Sequence, residues 1–366
     1  MIGLRTAFLS LLVIAIYSAD LVRADGPKYE SREIGEAIEH LRKNGAHVNF
    51  YSGQIFMLMN QATKPRPVTY NISIHSMKPT PENLSALLVI PRVDRLTLST
   101  GFERDQAVWE TLIQMSELES LTITGDLQQY DLENLAHFTN LRNLTIRSSN
   151  IKVADLWYLE ELTELKHLWL LVPGDCQPYF DYLARLPNLD NLSLYLQGKQ
   201  PVSLDGIEKL SQLQTLTVDT QESEESNVQA IGKLKELKSL SILRAKFKAE
   251  ELELFRELDQ VSYLQLHSCN LKGMPVEVFG EMEALERVQF SNNEFSDEIL
   301  KALGQLPQLR YLYIRNSPIT DEGLKYLYKA PSLQTVQLST TEITAEGVAA
   351  LQKARPTTHV IAPIKQ

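Results

Sequence analysis

A repeat of 24 residues is the feature that most constrains the fold of this chain. Six-residue segments with the pattern L-x-x-L-x-L start 24 residues apart from Leu141 to Leu333. In order they read "LRNLTI", "LKHLWL", "LDNLSL", "LQTLTV", "LKSLSI", "VSYLQL", "LERVQF", "LRYLYI" and "LQTVQL". A unit of this kind cannot bury its apolar edge alone, so successive units must stack into one solenoid.

Weaker versions of the segment extend the array toward both ends. They are "GAHVNF" at Gly45, "TYNISI" at Thr69, "VDRLTL" at Val93 and "LESLTI" at Leu118. After the last strong unit, "TTHVIA" from Thr357 predicts a strand that closes the open end. We therefore expect about 13 units in residues 45–366, with a terminal strand cap.

Each unit has the same internal order: a strand, a small or polar residue near the eighth position, an apolar anchor and a helix. The small or polar residues are Ser149, Cys269, Asn293, Ser317 and Thr341, and the anchors are Ile151, Leu271, Phe295, Ile319 and Ile343. The second halves, such as "DEGLKYLYKA" and "AEELELFREL", place apolar residues at three- and four-residue spacing, which predicts helices. Stacking then predicts an α/β solenoid with parallel strands on one face and helices on the other.

With "SPITDEGLKYL" and "TEITAEGVAALQKARP", these units resemble the leucine-rich repeat proteins, in particular the ribonuclease-inhibitor-like bacterial subtype found in many exported proteins. The resemblance covers residues 45–366 and implies a horseshoe with a concave strand face and a convex helical face. It implies no particular activity. Two units depart from the pattern, "LWLLVPGDCQPYF" and "VDTQESEESNV", which predicts uneven curvature between about Leu165 and Val228.

Two segments precede the array. Residues 1–24 read as a signal peptide: Arg5 supplies positive charge, an apolar run of 14 residues ends at Ala19, and "VRA" ends at Ala24. The run is shorter than the roughly 20 residues needed to span a bilayer. We expect cleavage after Ala24, with Ala19 as the alternative site and an uncleaved anchor as the alternative interpretation. Residues 25–44 predict an N-terminal capping helix, with apolar residues at helical spacing from Ile34 to Leu41.

The leader predicts the compartment of the protein, and the net charge limits the kinds of partner that it can bind. The leader predicts export to the periplasm, the cell envelope or the medium, with no stable membrane span after cleavage. The net charge of -10 and the pI near 5.3 argue against a nucleic-acid partner, because phosphate binding needs a basic footprint. We expect another protein or an envelope macromolecule as partner, and nothing in the sequence indicates an oligomeric state.

The sequence predicts no catalytic, cofactor or metal site. It lacks G-x-S-x-G, H-E-x-x-H and a phosphate-binding glycine loop, and its seven histidines are scattered over different units. The acidic run Glu222, Glu224 and Glu225 is interpreted as a solvated loop, with Ca²⁺ binding as the alternative.

Four Asn-x-Ser/Thr sequons, at Asn71, Asn83, Asn143 and Asn191, are glycan acceptors if the chain is eukaryotic and accidental if it is bacterial.

The two cysteines are four units apart. Neighbouring strands lie about 4.8 Å apart, which separates Cys176 from Cys269 by about 19 Å. A disulfide needs Cα atoms within about 7 Å, so no intramolecular bridge is expected. We expect Cys269 to be buried and Cys176 to be exposed in an irregular loop, as a free thiol or an intermolecular link.

Outward strand positions predict the binding surface, because side chains alternate between the two faces of a strand. The middle outward column reads Thr97, Thr122, Thr145, Trp169, Ser193, Thr217, Ser241, Gln265, Gln289, Tyr313 and Gln337. Aromatic and cationic residues gather at two places on this face, and tyrosine and arginine are enriched at interface hot spots. The candidate contact residues are Tyr263, His267, Arg287, Tyr311, Tyr313 and Arg315, and, four units away, His167, Trp169 and Tyr195 with Leu171 beside them. The alternative is that these rings only pack against one another across the sheet.

The sequence therefore predicts a non-catalytic, exported binding module that uses its concave face. One alternative is a structural spacer or envelope component without a specific ligand. A weaker alternative is an F-box-like adaptor of ubiquitin ligases, which the leader and the absence of preceding F-box helices disfavour.

Overall fold

The computed structural model describes residues 31–51, 69–75, 80–99, 105–173, 176–197, 201–221, 223 and 225–362. The predicted signal peptide, residues 1–24, lies outside these residues, as do Gly174, Glu222 and Glu224. Within the residues that the structure describes, none of the helices has the length and apolar character needed to cross a bilayer.

Fourteen strands form one sheet, in chain order except for two short strands that pair outside it. The sheet strands are β1 (Ala46–Tyr51), β2 (Thr69–Ile74), β3 (Val93–Leu98), β4 (Ser120–Thr124), β5 (Asn143–Arg147), β6 (His167–Pro173), β7 (Asn191–Gln197), β9 (Thr215–Asp219), β11 (Ser239–Leu243), β12 (Tyr263–His267), β13 (Arg287–Ser291), β14 (Tyr311–Arg315), β15 (Thr335–Ser339) and β16 (His359–Ile361). The strands β8 (Val202–Ser203) and β10 (Ser226–Asn227) pair with each other. From β2 to β16 all neighbours in the sheet are parallel, as predicted.

The first strand differs from the prediction. The segment "GAHVNF" was expected to be a parallel unit, but β1 pairs with β2 in the antiparallel sense, from Ala46 opposite Ile74 to Tyr51 opposite Thr69. Antiparallel neighbours need no crossover helix, whereas parallel neighbours do. The segment also lacks the leucines of the other units, and its buried residues include the small Ala46 and Val48. It therefore joins the fold as an edge strand.

Helices follow the strands along the chain. The α-helices are α1 (Arg32–Lys43), α2 (Pro81–Val89), α3 (Gln106–Leu112), α4 (Gln129–Leu135), α5 (Gln177–Leu183), α6 (Glu298–Leu303), α7 (Asp321–Leu324) and α8 (Ala345–Ala354). The 3₁₀ helices are Val153–Glu161, Ile207–Lys209, Gln229–Lys233, Ala249–Glu257, Glu277–Glu281 and Lys325–Lys329. The predicted helix in "AEELELFREL" is thus of the 3₁₀ type. A tighter helix covers the same width of sheet with a shorter connection, since its rise is about 2.0 Å per residue.

The core lies between the sheet and the helices. The inward leucines of the repeated segment are buried, as in Leu264 and Leu312. Bulky rings fill the space under the later helices, where Phe279 contacts Phe255 and Phe290 at ring-centroid distances of 5.0 and 5.4 Å. All five predicted apolar anchors belong to this core. The periodic leucines therefore account for the packing.

A ladder of polar side chains links the loops that follow the strands. Asn293 accepts a hydrogen bond from the backbone N–H of Cys269 at 2.7 Å and donates to the carbonyl of Leu266 at 3.0 Å. The hydroxyl of Ser317 likewise accepts from the backbone N–H of Phe295 in the preceding loop, at 3.3 Å. Of the predicted ladder residues, Ser149 is wrong by one position: Ser148 is buried and Ser149 is exposed.

A second ladder links the starts of the helices. The carboxylate of Asp297 accepts from the backbone N–H and the hydroxyl of Thr320, at 2.8 and 2.6 Å. Asp321 makes the same two bonds to Thr344, at 2.9 and 2.6 Å. Each aspartate therefore satisfies a donor at the helix start of the following unit, where the first N–H groups have no partner within the helix.

Both cysteines are buried and form no disulfide with each other. This confirms the prediction for Cys269, whose pKa is raised to about 12 by burial. The exposure predicted for Cys176 is wrong. Its thiol donates to the carbonyl of Ser203 at 3.0 Å, and the residue directly precedes α5.

Candidate partner-binding face

Strand register arranges the outward side chains in three columns on the concave face, the side of the sheet away from the core. The first column is Asn71, Arg95, Ser120, Asn143, His167, Asn191, Thr215, Ser239, Tyr263, Arg287, Tyr311, Thr335 and His359. The second is the predicted middle column from Thr97 to Gln337, and each successive pair in it is a register partner, which confirms the prediction. The third contains Thr124, Arg147, Leu171, Tyr195, Asp219, Leu243, His267, Ser291, Arg315 and Ser339.

Six predicted residues come together near the C-terminal end of the face. We call them the C-terminal cluster: Tyr263, His267, Arg287, Tyr311, Tyr313 and Arg315. Tyr263, Arg287 and Tyr311 are register partners on β12, β13 and β14, as expected. The guanidinium carbon of Arg287 lies 4.9 Å from the centre of the Tyr311 ring, a cation–π contact. Because Tyr311 is still 38% exposed, this pair presents a charge and a ring to solvent.

Tyr263 has a different environment from its neighbours. Its hydroxyl donates to the side-chain oxygens of Gln289 at 2.8 Å and Gln265 at 3.1 Å. Burial raises the pKa of this hydroxyl, and the nearby Arg287 lowers it. The ring therefore supports the sheet across two strands as well as lining the face, so packing accounts for part of its presence here.

Three predicted residues form a second group, four strands away. With Arg147, which the sequence analysis missed, we call it the N-terminal cluster: Arg147, His167, Trp169 and Tyr195. The ring of Trp169 lies 4.5 Å from that of Tyr195 and 5.0 Å from the guanidinium carbon of Arg147. β6 lies between β5 and β7, so the two contacts reach Trp169 from opposite sides. Trp169 is consequently half-buried, where the sequence predicted an exposed ring.

The N-terminal cluster opens into a cleft of about 410 Å³ on the concave face. Its lining includes Arg95, Asn143, Arg147, His167, Trp169 and Asn191. Two of the sequon asparagines thus line this cleft. The sequence analysis missed Arg95 and Arg147 as site residues. Strand register alone would have placed both on the outward columns.

Charge is distributed unevenly between the face and the rest of the molecule. Among the described strand residues, the three columns hold four arginines, three histidines, no lysine and one acid, Asp219. That acid is buried and bound by two nitrogens of Arg244, at 2.8 and 2.5 Å. The chain as a whole carries a net charge of -10. The concave face is therefore a cationic surface on an acidic protein.

Nothing in the described part of the chain groups three or more His, Cys, Asp or Glu side chains in a way that could hold a metal ion. His167 and His267 lie on β6 and β12, four strands apart in the sheet.

The geometry of the face is suited to contact with a macromolecule: a long sheet, exposed guanidinium groups and rings, and small polar side chains between them.

Comparisons with known proteins agree on the fold. A family model described as leucine rich repeat matches residues 259–319. No curated protein matches the sequence. The crystal structure of an internalin from Listeria monocytogenes is similar over 86% of this chain and 94% of that one, with a TM-score of 0.51 and 18% identity. A TLR13–ssRNA complex is similar over 75% of this chain and 40% of the TLR13 chain, with a TM-score of 0.52 and 18% identity.

Proposed function

We propose that this chain, a leucine-rich repeat protein, is a non-catalytic binding module that holds another macromolecule against its concave face. One observation carries the proposal: rings and guanidinium groups gather in two clusters on a face that is otherwise small and polar. Tyrosine, tryptophan and arginine are the residue types most enriched at interface hot spots. The similar structures share the fold but do not identify the partner of this chain.

The contact residues that we propose are the nine predicted from the sequence together with Arg147. Arg287, Tyr311 and Arg315 are exposed, and they offer the largest accessible groups of the C-terminal cluster. Arg147 and His167 do the same for the N-terminal cluster. The side chains between the clusters are small, so a partner can follow the sheet from one cluster to the other without steric obstruction.

We propose that the partner is a protein and that the module acts outside the cytosol. The net charge of -10 supports a protein over a nucleic acid, although the similar TLR13 structure contains ssRNA and shows that the fold accommodates RNA. Export rests on the leader "MIGLRTAFLSLLVIAIYSADLVRADG". The subtype proposed for the array remains the ribonuclease-inhibitor-like bacterial one.

We also propose that α1 caps the N-terminal end of the solenoid, within the segment 25–44 assigned to this role. Ile38 and Leu41 on this helix are fully buried. The hydroxyl of Ser31 accepts from the N–H of Ile34 at the helix start. A terminal unit with one apolar and one polar side is what the end of a repeat array requires.

Partner capture tests the proposed function. The purified chain is used as bait with a cell-envelope fraction, and the captured macromolecule is then titrated against variants. The combined variant Tyr263→Ala, Arg287→Ala and Tyr311→Ala should weaken binding by at least about 2 kcal/mol. The matched control, Trp157→Ala with Tyr326→Ala, removes two exposed rings from the helical side and should leave affinity unchanged.

Three results would contradict the proposal. Equal affinity in the cluster variant and the wild type would move the site to the loops or the helical face. Failure of the bait to capture a stoichiometric partner from any fraction would favour the structural spacer, the alternative predicted from the sequence. A melting temperature that falls in the cluster variant while affinity stays constant would show that these side chains only pack across the sheet.

A further inference from the structure

Within the described part of the chain, the arginines of the concave face have no acidic partners. Arg95, Arg147, Arg287 and Arg315 are exposed, and they take part in none of the ion pairs among the described residues. Several arginines elsewhere in the chain do form ion pairs, such as Arg185 with Glu160 at 2.6 Å. The charge on the concave face is thus left for an outside group.

Two of these guanidinium groups are held in place by rings. Arg147 lies over Trp169 and Arg287 over Tyr311, at 5.0 and 4.9 Å. A guanidinium stacked on a ring keeps its N–H groups free at its edge, where they can donate two parallel hydrogen bonds to one carboxylate. The rings reduce the side-chain freedom that is lost when such a bond forms. Each pair is therefore a preorganised carboxylate receptor.

We propose that the partner of the concave face is an acidic, extended polypeptide segment whose carboxylates bind Arg147 and Arg287 together. This inference rests on the proposed function and gives the partner its chemistry. The two arginines lie on β5 and β13, six strands apart in the sheet, which is on the order of 29 Å. An extended chain covers this distance in about eight or nine residues.

The side chains between the two arginines suit a polypeptide. The half-buried Thr215 and Thr217 offer hydroxyl groups to a backbone, and the half-buried Leu171 and Leu243 offer apolar contact. A single-stranded nucleic acid stacks successive bases on aromatic faces, and of the tyrosine and tryptophan rings in the two clusters only that of Tyr311 is exposed. The ring of Trp169 is contacted from both sides by protein groups, which also leaves it unavailable to a sugar ring.

The first test uses a labelled peptide with three glutamates at each end and a Ser/Gly spacer of about eight residues. We expect it to bind the full chain in a fluorescence-anisotropy titration at low ionic strength. A peptide of six glutamates without a spacer should bind about tenfold more weakly, because six residues extend over only about 20 Å and one peptide then reaches only one arginine. No binding of the long peptide, or equal binding of both, overturns the two-point geometry.

The second test uses variants with equal changes of charge. The combined variant Arg147→Gln and Arg287→Gln should bind the long peptide at least about tenfold more weakly. A loss of this size corresponds to one strong charge-assisted interaction. Lys301→Gln with Lys353→Gln, on the helices α6 and α8, should change affinity less than about twofold, since exposed distant charges are screened. Equal losses in the two variants would show general attraction to a polyanion and overturn the proposal. Unchanged melting temperatures establish that both variants are folded.

The third test separates classes of partner. An oligogalacturonate and a single-stranded oligonucleotide with the same number of charges are titrated under the same conditions. Either of them could bind at least about tenfold more tightly than the peptide and bind the Arg147/Arg287 variant weakly. That result would overturn the assignment of a polypeptide partner, while the concave face would still be the binding site. If a captured partner binds that variant normally but loses affinity in the Tyr263/Arg287/Tyr311 variant, the carboxylate inference fails while the proposed function stands.

Discussion

Gly323 is the position where one added methyl group should be most informative. It lies in the short helix α7, directly beside the carboxylate of the preceding unit's Asp297. A Cβ at this position would come 2.6 Å from the Cγ of Asp297 and 3.1 Å from its Cβ, closer than carbon atoms approach. In Gly323→Ala, the Asp297 side chain must therefore leave its place and give up both bonds to Thr320.

The magnitude follows from these two bonds. A hydrogen bond to a charged acceptor contributes about 1.5–3 kcal/mol, and the half-buried position of Asp297 favours the lower end of that range, about 3 kcal/mol for two. Alanine is preferred over glycine in a helix by about 1 kcal/mol, which offsets part of the loss. Gly323→Ala should therefore lower the free energy of unfolding by about 2 kcal/mol, measured by urea unfolding followed by circular dichroism.

A double-mutant cycle isolates the cause. Asp297→Ala alone should cost about 3 kcal/mol, because both bonds are lost. Adding Gly323→Ala in that background should then recover about 1 kcal/mol, since the carboxylate that obstructs the methyl group is gone. If Gly323→Ala destabilises by the same amount in both backgrounds, the close approach of Asp297 is not the reason for the glycine.

Three further results are expected from the same structure. Leu264→Ala and Leu312→Ala should each cost about 2–5 kcal/mol in thermal or urea unfolding, as buried large-to-small changes do, and an unchanged melting curve for both would contradict the register. Neither Cys176 nor Cys269 should react with a disulfide reagent at about pH 8 in the native chain, because both are buried and the raised pKa of Cys269, about 12, keeps its thiol protonated; both should react in denaturant. Thr340→Asn should raise stability by about 0.5–1 kcal/mol, because threonine has a left-handed φ of 56° there and asparagine tolerates that conformation better; a lower melting temperature would contradict this.

The spacing of leucines was sufficient to predict which residues face outward. Because a strand alternates its faces, fixing Leu264 and Leu312 in the core also fixes Tyr263 and Tyr311 on the concave face. The same argument gave the whole middle column from Thr97 to Gln337. These predictions depend only on the period of the pattern.

Contacts that depend on side-chain direction could not be predicted in this way. The register places Arg147 and Trp169 on neighbouring strands, but a rotamer choice brings the guanidinium over the ring. Cys176 follows Leu165 by 11 positions, whereas the anchor Ile151 follows Leu141 by 10, and the shift from Ser149 to Ser148 is likewise a matter of one position. Period alone says nothing about loop residues that lie between two fixed elements.

The helix-start ladder also bears on how chains of different length could arise. Asp297 and Asp321 occupy equivalent places and bind equivalent threonines, so removal of residues 298–321, a stretch of 24, would bring Thr344 opposite Asp297. Excision of a whole unit thus restores the same bonds, whereas a shorter excision leaves a threonine without its aspartate; thermal unfolding of the two deletions would compare them. Gene segments of one unit can accordingly be lost or gained with little damage to the array. Each unit lost between β5 and β13 would bring Arg147 and Arg287 about 4.8 Å closer, so unit number sets the length of partner that the face can accept.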